Sequence, residues 1–337
     1  MKLFRKIFVI IAVVFVFGVF MSKPADALDP NPAANAAQGI EISPALVELN
    51  AARGQTYNIN LDVMNVTASE LNYTSSADDF GAADESGSPK VDLTGSLPPT
   101  ASIKTWVQMI PEFTLKSRKS TVVNVQITIP DNAEPGGHYG VVRFSGSAPE
   151  VEDSGVGLAV SAGVLILIRV DGVINESANL ASFYTAAGDK QSGFFENSPI
   201  KFVTRIQNDG NIHVKPTGTI EVHDMFGGLV STIPVNAEKG NVLPSSIRRF
   251  EGDLNKDWMF GRYTASLMMG YGTTGQAITA TTEFWVIPYK LILATLFISA
   301  TVIFILIRLI KVYNNYIIRK AKNEPKIKKQ KRRNKKS

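Results

Sequence analysis

The sequence predicts a mainly β protein with two tandem immunoglobulin-like β-sandwich domains and one C-terminal transmembrane helix. Three observations lead to this fold class. Short segments of alternating apolar and polar residues recur along the chain, turn-forming residues separate them, and one long uncharged apolar block lies near the C-terminus. After removal of targeting segments, a chain of 337 residues has room for about two domains.

The N-terminus has the order of a secretory signal peptide. Basic residues at Lys2, Arg5 and Lys6 precede an apolar run over residues 7–21, and the small-residue sequence Ala25-Asp26-Ala27 follows. We therefore predict a signal peptide over residues 1–27, cut after Ala27, with an uncleaved anchor as the alternative. Residues 28–38 are rich in Ala, Asn and Pro and are predicted to be a spacer.

The C-terminal apolar block predicts a transmembrane helix over residues 288–310. No charged residue interrupts positions 291–307, and aromatic residues that favour the headgroup layer stand near its two ends (Trp285, Tyr289 and Tyr313). From Arg308 onward the chain carries thirteen basic residues and one acid, Glu324. Such a flank stays in the cytoplasm, so residues 311–337 are predicted to be a basic cytoplasmic tail of a single-pass cell-membrane protein whose N-terminal portion is extracellular.

The overall charge of +5 and pI of about 9.2 hide two oppositely charged parts. Outside the signal region and the tail remain 18 of the 35 basic residues and 28 of the 30 acidic residues, a net charge of −10. The tail bases are not interleaved with aromatic residues in the last fifteen positions. We therefore expect the tail to be a stop-transfer flank that also attracts anionic lipid, and we expect no nucleic-acid partner.

Residues 39–170 are predicted to form the first sandwich. Alternating strands are expected at residues 57–63, 123–129 and 138–144, and the almost wholly apolar segment 157–170 is expected to be a strand buried on both faces. The polar segment 78–87 is expected to be a solvated surface loop. A calcium loop is the alternative there, although the spacing matches no EF-hand.

Residues 171–287 are predicted to form the second sandwich, with the boundary at Asp171-Gly172. Alternating strands are expected at 200–206, 219–223, 263–269 and 278–286, with turns at 208–211 and 224–228. No long helical period occurs in either domain. The absence of the Cys-Trp-Cys pattern of antibody domains leaves the strand topology open.

The residues that carry catalysis are sparse in this chain. There is no cysteine, and the three histidines, His138, His213 and His223, are spread over both domains. Only His213 and His223 could meet, across a hairpin. No glycine-rich stretch opens a helix after a parallel strand. We therefore expect no enzyme, no catalytic residue, no metal and no cofactor, and the sequence does not identify the binding residues.

Three short sequences match the acceptor pattern for N-linked glycans, but the pattern is common by chance. We expect all three to be ordinary surface residues. They begin at Asn65, Asn72 and Asn175.

Several segments, in order, resemble the WxL-interacting family of Gram-positive bacterial surface proteins. They are residues 42–49, 53–56, 61–65, Trp106, 129–140 and 165–170 in the first domain, and 208–211, 216–218 and 224–227 in the second. The order of signal peptide, two β domains, one helix and basic tail also resembles this family. The resemblance implies that the first domain binds peptidoglycan and that the second binds a WxL-type surface protein or a host matrix protein.

Our leading hypothesis from the sequence is a membrane-anchored cell-surface binding or scaffold protein, with a role in adhesion, that attaches to the cell wall and to a protein partner. The alternative is an assembly factor resembling pilus chaperones and acting by strand addition to an exposed sheet edge. A third hypothesis is a signalling receptor whose basic tail recruits a cytoplasmic partner.

Overall fold

The computed structural model describes residues 39–93, 95, 102–147 and 159–323. The predicted signal peptide and spacer lie outside these residues, as do residues 324–337 of the predicted tail. Within the described chain, the strands fall into two groups, residues 40–170 and residues 178–286, and one helix follows. The predicted fold class, a mainly β chain of sandwich-like domains with a C-terminal apolar helix, is confirmed.

Nine strands form the first sandwich. They are β1 (Ile40–Ser43), β2 (Leu46–Ala51), β3 (Thr56–Asn65), β4 (Leu71–Ala82), β5 (Pro89–Asp92), β6 (Phe113–Leu115), β7 (Ser120–Thr128), β8 (Gly136–Ser147) and β9 (Ala159–Val170). One sheet has the order β1-β3-β7, and the facing sheet has the order β2-β9-β8-β4-β5, with β6 also pairing with β4. The pair β2-β9 is parallel, and the other pairs are antiparallel.

The core between these sheets follows the alternation of the strands. In β9 the even-numbered side chains from Val164 to Val170 are fully buried against the facing sheet. On the opposite face Leu167 is buried as well, but Ser161 and Gly163 are exposed. The predicted burial on both faces is therefore right for the second half of β9 only.

Nine further strands form the second sandwich. They are β10 (Ala178–Ala187), β11 (Lys190–Gln191), β12 (Phe194–Phe195), β13 (Ile200–Asn208), β14 (Thr217–Asp224), β15 (Leu229–Val235), β16 (Ile247–Leu254), β17 (Gly261–Tyr271) and β18 (Gln276–Val286). The sheets have the orders β11-β10-β13-β16 and β12-β18-β17-β14-β15. Phe202 and Phe284 meet across the core with ring centroids 5.7 Å apart.

The expectation of a solvated loop at 78–87 is wrong for its first half, because β4 continues to Ala82. Asp78 is buried and accepts hydrogen bonds from Lys104 Nζ at 3.1 Å and Arg143 Nη2 at 2.9 Å. Asp79 accepts one from the backbone N–H of Ile103 at 2.9 Å. Since both carboxylates are paired, they are tolerated within the strand.

Helix α1 (Tyr289–Asn323) has 35 residues and is longer than the predicted 288–310, so part of the predicted tail is helical. No proline interrupts the chain between Tyr289 and Glu324, and apolar residues such as Ile317 and Ile318 continue the helix beyond the uncharged block. Residues Tyr289–Lys320 are long and apolar enough to cross a membrane, with a mean hydropathy of 2.5 in their most apolar part.

Candidate functional site: an interdomain cleft and an open strand edge

The two sandwiches contact each other first through the loop before β8 and the loop before β14. The backbone N–H of Gly137 donates to the carbonyl of Asn211 at 2.8 Å, and the amide of Asn211 donates to the carbonyl of Pro135 at 3.2 Å. The backbone N–H of His213 donates to the Tyr139 hydroxyl at 2.8 Å. These bonds join the domains close to the linker, residues 171–177, which connects β9 to β10.

A second contact uses the turn between β4 and β5. The Nε of Arg205 donates to Glu85 at 2.7 Å, and the backbone N–H of Arg249 donates to the Glu85 carbonyl at 2.7 Å. The hydrogen bond from Arg205 lowers the pKa of the Glu85 carboxyl. The turn thereby covers part of the outer edge of β16.

The third contact centres on Glu48 of β2. Lys215 Nζ lies 2.6 Å from one carboxylate oxygen, and the amide of Asn241 donates to the other at 3.1 Å. Burial alone would raise the pKa of Glu48, but the hydrogen bonds from Lys215 and Asn241 outweigh it and lower the pKa. The carboxylate therefore stays ionised and bound to the second domain.

Between the second and third contacts lies a partly open cleft of about 340 Å³. Its floor is apolar and is formed by Phe80, Leu165 and Leu167 of the first domain and Leu243 of the second. Leu46 stands at its rim and is 44% exposed. An apolar cleft with a charged border is suited to an apolar side chain of a partner.

Arg248 forms one wall of this cleft and is held between two glycines. A Cβ on Gly87 would collide with its guanidinium, and a Cβ on Gly240 would lie 2.7 Å from its Cζ. Arg248 Nη1 donates to the carbonyl of Asn241 at 2.7 Å, and burial lowers the pKa of its guanidinium. Gly87 also has φ +84°, so both the close approach of the Arg248 guanidinium and the backbone conformation favour glycine at this position.

The first half of β9 has an edge with no partner strand among the described residues. Strand β2 pairs only with residues 165–170 of β9. On that side Leu165 N–H donates to the carbonyl of Ala45 at 3.0 Å, so the odd-numbered residues of β9 point their backbone groups toward it. The N–H and C=O groups of Ala159, Ser161 and Gly163 therefore face an edge with which no other described strand pairs.

Two common devices against pairing with another chain are absent from the sequence of this edge. Residues 159–164 contain neither a charged residue nor a proline, which are the common devices that block edge strands. The edge runs directly into the cleft, because Leu165 belongs to the same strand and lies on the cleft floor.

Strand β7 provides an instructive comparison, since it too has an outer edge. Trp106 accepts a hydrogen bond from the N–H of Thr128, and Gln108 donates one to Gln126, both at 2.9 Å. The backbone N–H and C=O groups of the even-numbered residues of β7 thus point away from β3. Those of Val122 face an edge that no described strand covers. This second open stretch does not border the cleft.

The histidines do not form a common site. His138 packs on Trp106 with ring centroids 4.5 Å apart. His213 contacts Tyr139 at the domain interface, and burial lowers the pKa of its imidazole to about 4. His223 pairs with Leu229 near the far end of β14, so the expectation that His213 and His223 could meet across a hairpin is wrong.

Within the described ranges, no three His, Cys, Asp or Glu side chains are grouped as metal ligands would be. The sequence alone identifies neither the cleft nor the edge of β9 at 159–164. It shows that these six residues lack charge and proline, but the meaning of this composition depends on which strands pair. The cleft depends on how the two domains are placed.

Fold and site together define a class: a two-domain β-sandwich protein with an apolar interdomain cleft and an edge strand open to pairing. No protein-family model and no curated protein sequence matches this chain. Among solved structures, the chain is similar to YadV chaperone, with a TM-score of 0.35 and 11% identity over 73% of this chain and 100% of that one. It is also similar to the class 5 fimbriae chaperone CfaA, with a TM-score of 0.38 and 12% identity over 72% of this chain and 99% of that one. A third similar structure is the E. coli chaperone DraB, with a TM-score of 0.35 and 13% identity over 73% of this chain and 96% of that one.

Proposed function

We propose that this protein is a membrane-anchored assembly or scaffold protein that binds an extended segment of a partner protein by strand addition. The observation that carries the proposal is the edge of β9 at residues 159–164, which pairs with no other described strand and adjoins the interdomain cleft. The partner segment would extend the sheet β2-β9-β8-β4-β5 by one strand.

The chemistry of the edge supports this mode of binding. Three N–H and three C=O groups face outward over six residues, which is the array that an extended peptide pairs with. Backbone pairing alone selects no sequence, so specificity has to come from side-chain pockets. The cleft floor at Phe80, Leu165 and Leu167 supplies such a pocket at the end of the edge.

The anchor supports a site that works at the membrane surface. In the proposed topology α1 spans the membrane, its basic C-terminal end remains in the cytoplasm, and both sandwiches lie outside the cell. The function is then the retention of a polypeptide partner rather than a reaction.

Peptidoglycan binding by the first domain, expected from the family resemblance, remains a separate proposal. Sugar rings are commonly bound by stacking on aromatic side chains, which present a large flat apolar face. All large apolar side chains that are exposed in the described part of residues 39–170 are aliphatic, namely Leu46, Leu93, Met109 and Val122. We therefore favour a polypeptide ligand for the described surface of this domain.

The proposal is tested by photocrosslinking in cells that produce the full chain. A photoreactive phenylalanine analogue replaces Ser161 in one variant and Val122 in the other, since both backbones face an open edge. We expect a discrete adduct with an exported protein from position 161 and none from position 122. Equal adducts at both positions, or none at 161, would contradict the proposal.

A proline variant then tests the backbone pairing itself. Ser161→Pro removes one outward N–H without removing a bond to β8, and Val122→Pro does the same at the β7 edge. We expect Ser161→Pro to reduce co-purification of the crosslinked partner roughly tenfold, because one lost hydrogen bond and the disturbed pairing around it are worth about 1–2 kcal/mol. Val122→Pro should leave it unchanged. Undiminished recovery with Ser161→Pro would exclude strand addition at β9.

A further inference from the structure

The exposed apolar side chains of the second sandwich are concentrated at one end. Between residues 178 and 289, nine large apolar side chains are exposed, and all except Met268 fall in or beside the loops at this end. They are Phe194, Met225, Phe226, Leu229, Trp258, Phe260, Trp285 and Tyr289. We call these eight residues the apolar pole.

Strand register places the apolar pole at the end of the domain where α1 begins. Gly261, which follows Phe260, pairs with Val286 at the end of β18. Phe194 pairs with Trp285 on the same strand. The remaining loops join this end because Asp224 pairs with Tyr263 and Ile200 pairs with Leu254.

The connection to α1 is short and fixed. Only Ile287 and Pro288 separate β18 from Tyr289, and the N–H of Ile287 donates to the carbonyl of Phe195 at 2.9 Å. Lys290 in the first turn of α1 lies 2.7 Å from the carboxylate of Glu196. Phe195 and Glu196 are therefore held beside the first turn of the helix, and the strand register places the other loops of the apolar pole at the same end of the domain.

Two of these loops are shaped so that their apolar side chains project outward. Asp224 accepts the N–H groups of Phe226 and Gly228, both at 2.9 Å, and Phe226 is 88% exposed. In the other loop Met259 is buried in the core, while its neighbours Trp258 and Phe260 are 65% and 51% exposed. Local hydrogen bonds and one buried anchor thus hold these aromatic rings in solvent.

We propose that the apolar pole inserts into the outer headgroup layer of the membrane, so that the second sandwich lies on the lipid surface. Trp, Tyr and Phe side chains favour this layer, where an apolar ring and a polar edge are both accommodated. The same loop carries one exposed base and one exposed acid, Lys256 and Asp257, and Lys256 Nζ donates to the carbonyl of Val230 at 3.4 Å, so the lipid contact rests on the apolar side chains. The inference rests on the proposed membrane span of α1, and it adds a second lipid contact to that anchor.

The occupant is a lipid surface because the pole surrounds the start of an apolar helix. A membrane that contains α1 brings its headgroups to Tyr289 and hence to the loops at the same end of the domain. Eight exposed apolar side chains on several loops suit insertion into a lipid layer, whereas a partner helix would need a groove and a partner strand a sheet edge.

The test uses the full chain in lipid vesicles, and the absence of cysteine makes the labelling simple. Phe226→Cys and Met268→Cys each carry an environment-sensitive fluorophore; both sites are exposed in the second sandwich, but only position 226 belongs to the apolar pole. Spin-labelled lipid is added as a quencher. We expect roughly twofold quenching at position 226 and little at 268.

Flotation of the vesicles separates this inference from the anchor itself. If the protein floats with the vesicles but both labels respond equally to the quenching lipid, membrane contact by the apolar pole is overturned while the anchor stands. If the protein does not float, the anchor fails and the inference fails with it. As a second measurement, Trp258→Phe and Trp285→Phe together should remove most of the tryptophan emission that the lipid quenches, because Trp106, the third tryptophan, is buried in the first sandwich.

Discussion

At the scale of single residues, a buried asparagine organises a loop in the first sandwich. The amide of Asn65 donates to the carbonyls of Ser69 at 2.8 Å and Leu115 at 3.0 Å, and its side-chain oxygen accepts the N–H of Thr67 at 3.0 Å. The expectation that Asn65 is an ordinary surface residue is therefore wrong. Its side chain replaces backbone partners that the loop cannot supply for itself.

The second sandwich contains the same arrangement at Asn208. Its amide donates to the carbonyls of Ile212 at 2.7 Å and Val242 at 2.8 Å, and its oxygen accepts the N–H of Gly210 at 2.8 Å. Each asparagine ends a strand of the core and bonds to the residues two and four positions later. In both domains a buried asparagine at the end of a core strand thus supplies hydrogen bonds to the loop that follows the strand.

We expect Asn208→Ala to lower the free energy of unfolding by about 2–3 kcal/mol, because it leaves two buried carbonyls and one N–H without their partner. Thermal unfolding of the detergent-solubilised full chain, followed by circular dichroism, measures the change. Asn58→Ala removes an exposed asparagine from β3 and should change stability by less than about 0.5 kcal/mol. Equal effects of the two substitutions would contradict the role given to Asn208.

At the scale of elements, strands with strict alternation were predictable from the sequence, as in β7, β13 and β17. β16 was not predicted, since it begins Ile-Arg-Arg-Phe and its pattern is blurred by arginines. Those arginines serve the domain interface: Arg248 lines the cleft, and Arg249 bonds to Glu85 through its backbone. A local pattern carries no information about contacts with another domain.

The open edge of β9 illustrates the same limit. The composition of residues 159–164 can be read from the sequence. Whether their backbone groups are paired depends on the register of β2, which pairs only with residues 165–170. Register of this kind depends on contacts more than a hundred residues apart, so a single sequence does not determine it.

The topology of α1 is testable by single-cysteine labelling in the naturally cysteine-free chain. Thr274→Cys lies in an exposed turn of the second sandwich, and Ser337→Cys lies at the end of the basic tail. We expect a membrane-impermeant maleimide to label position 274 in intact cells and position 337 only after the membrane is permeabilised. Labelling of position 337 in intact cells would refute the proposed orientation.

At the scale of the whole molecule, a buried histidine at the domain interface makes the stability of the protein depend on pH. His213 is largely buried at the interface, and burial lowers its pKa from 6.5 to about 4. The unfolded chain therefore binds a proton at His213 in a pH range where the folded chain does not. Stability is fully present above pH 6.5 and is lost progressively as pH falls toward 4.

We expect stability to fall by about 1.5 kcal/mol between pH 6.5 and pH 5 from this group alone. In this range carboxylates with lowered pKa values, such as those of Glu48 and Glu85, remain ionised. His213→Gln should abolish that part of the pH dependence, as measured by thermal unfolding of the full chain at the two pH values. If the variant keeps the same pH dependence as the parent, His213 is not its source.

The short connection between β18 and α1 has a consequence for the reach of the binding site. Strand β17 runs from Gly261 beside the helix to Tyr271 beside the linker, eleven residues that span about 35 Å. In the proposed topology, the length of the second sandwich then sets the height of the cleft above the bilayer, because only Ile287 and Pro288 separate β18 from α1. A partner segment bound by the proposed strand addition would be held at about that distance from the lipid surface.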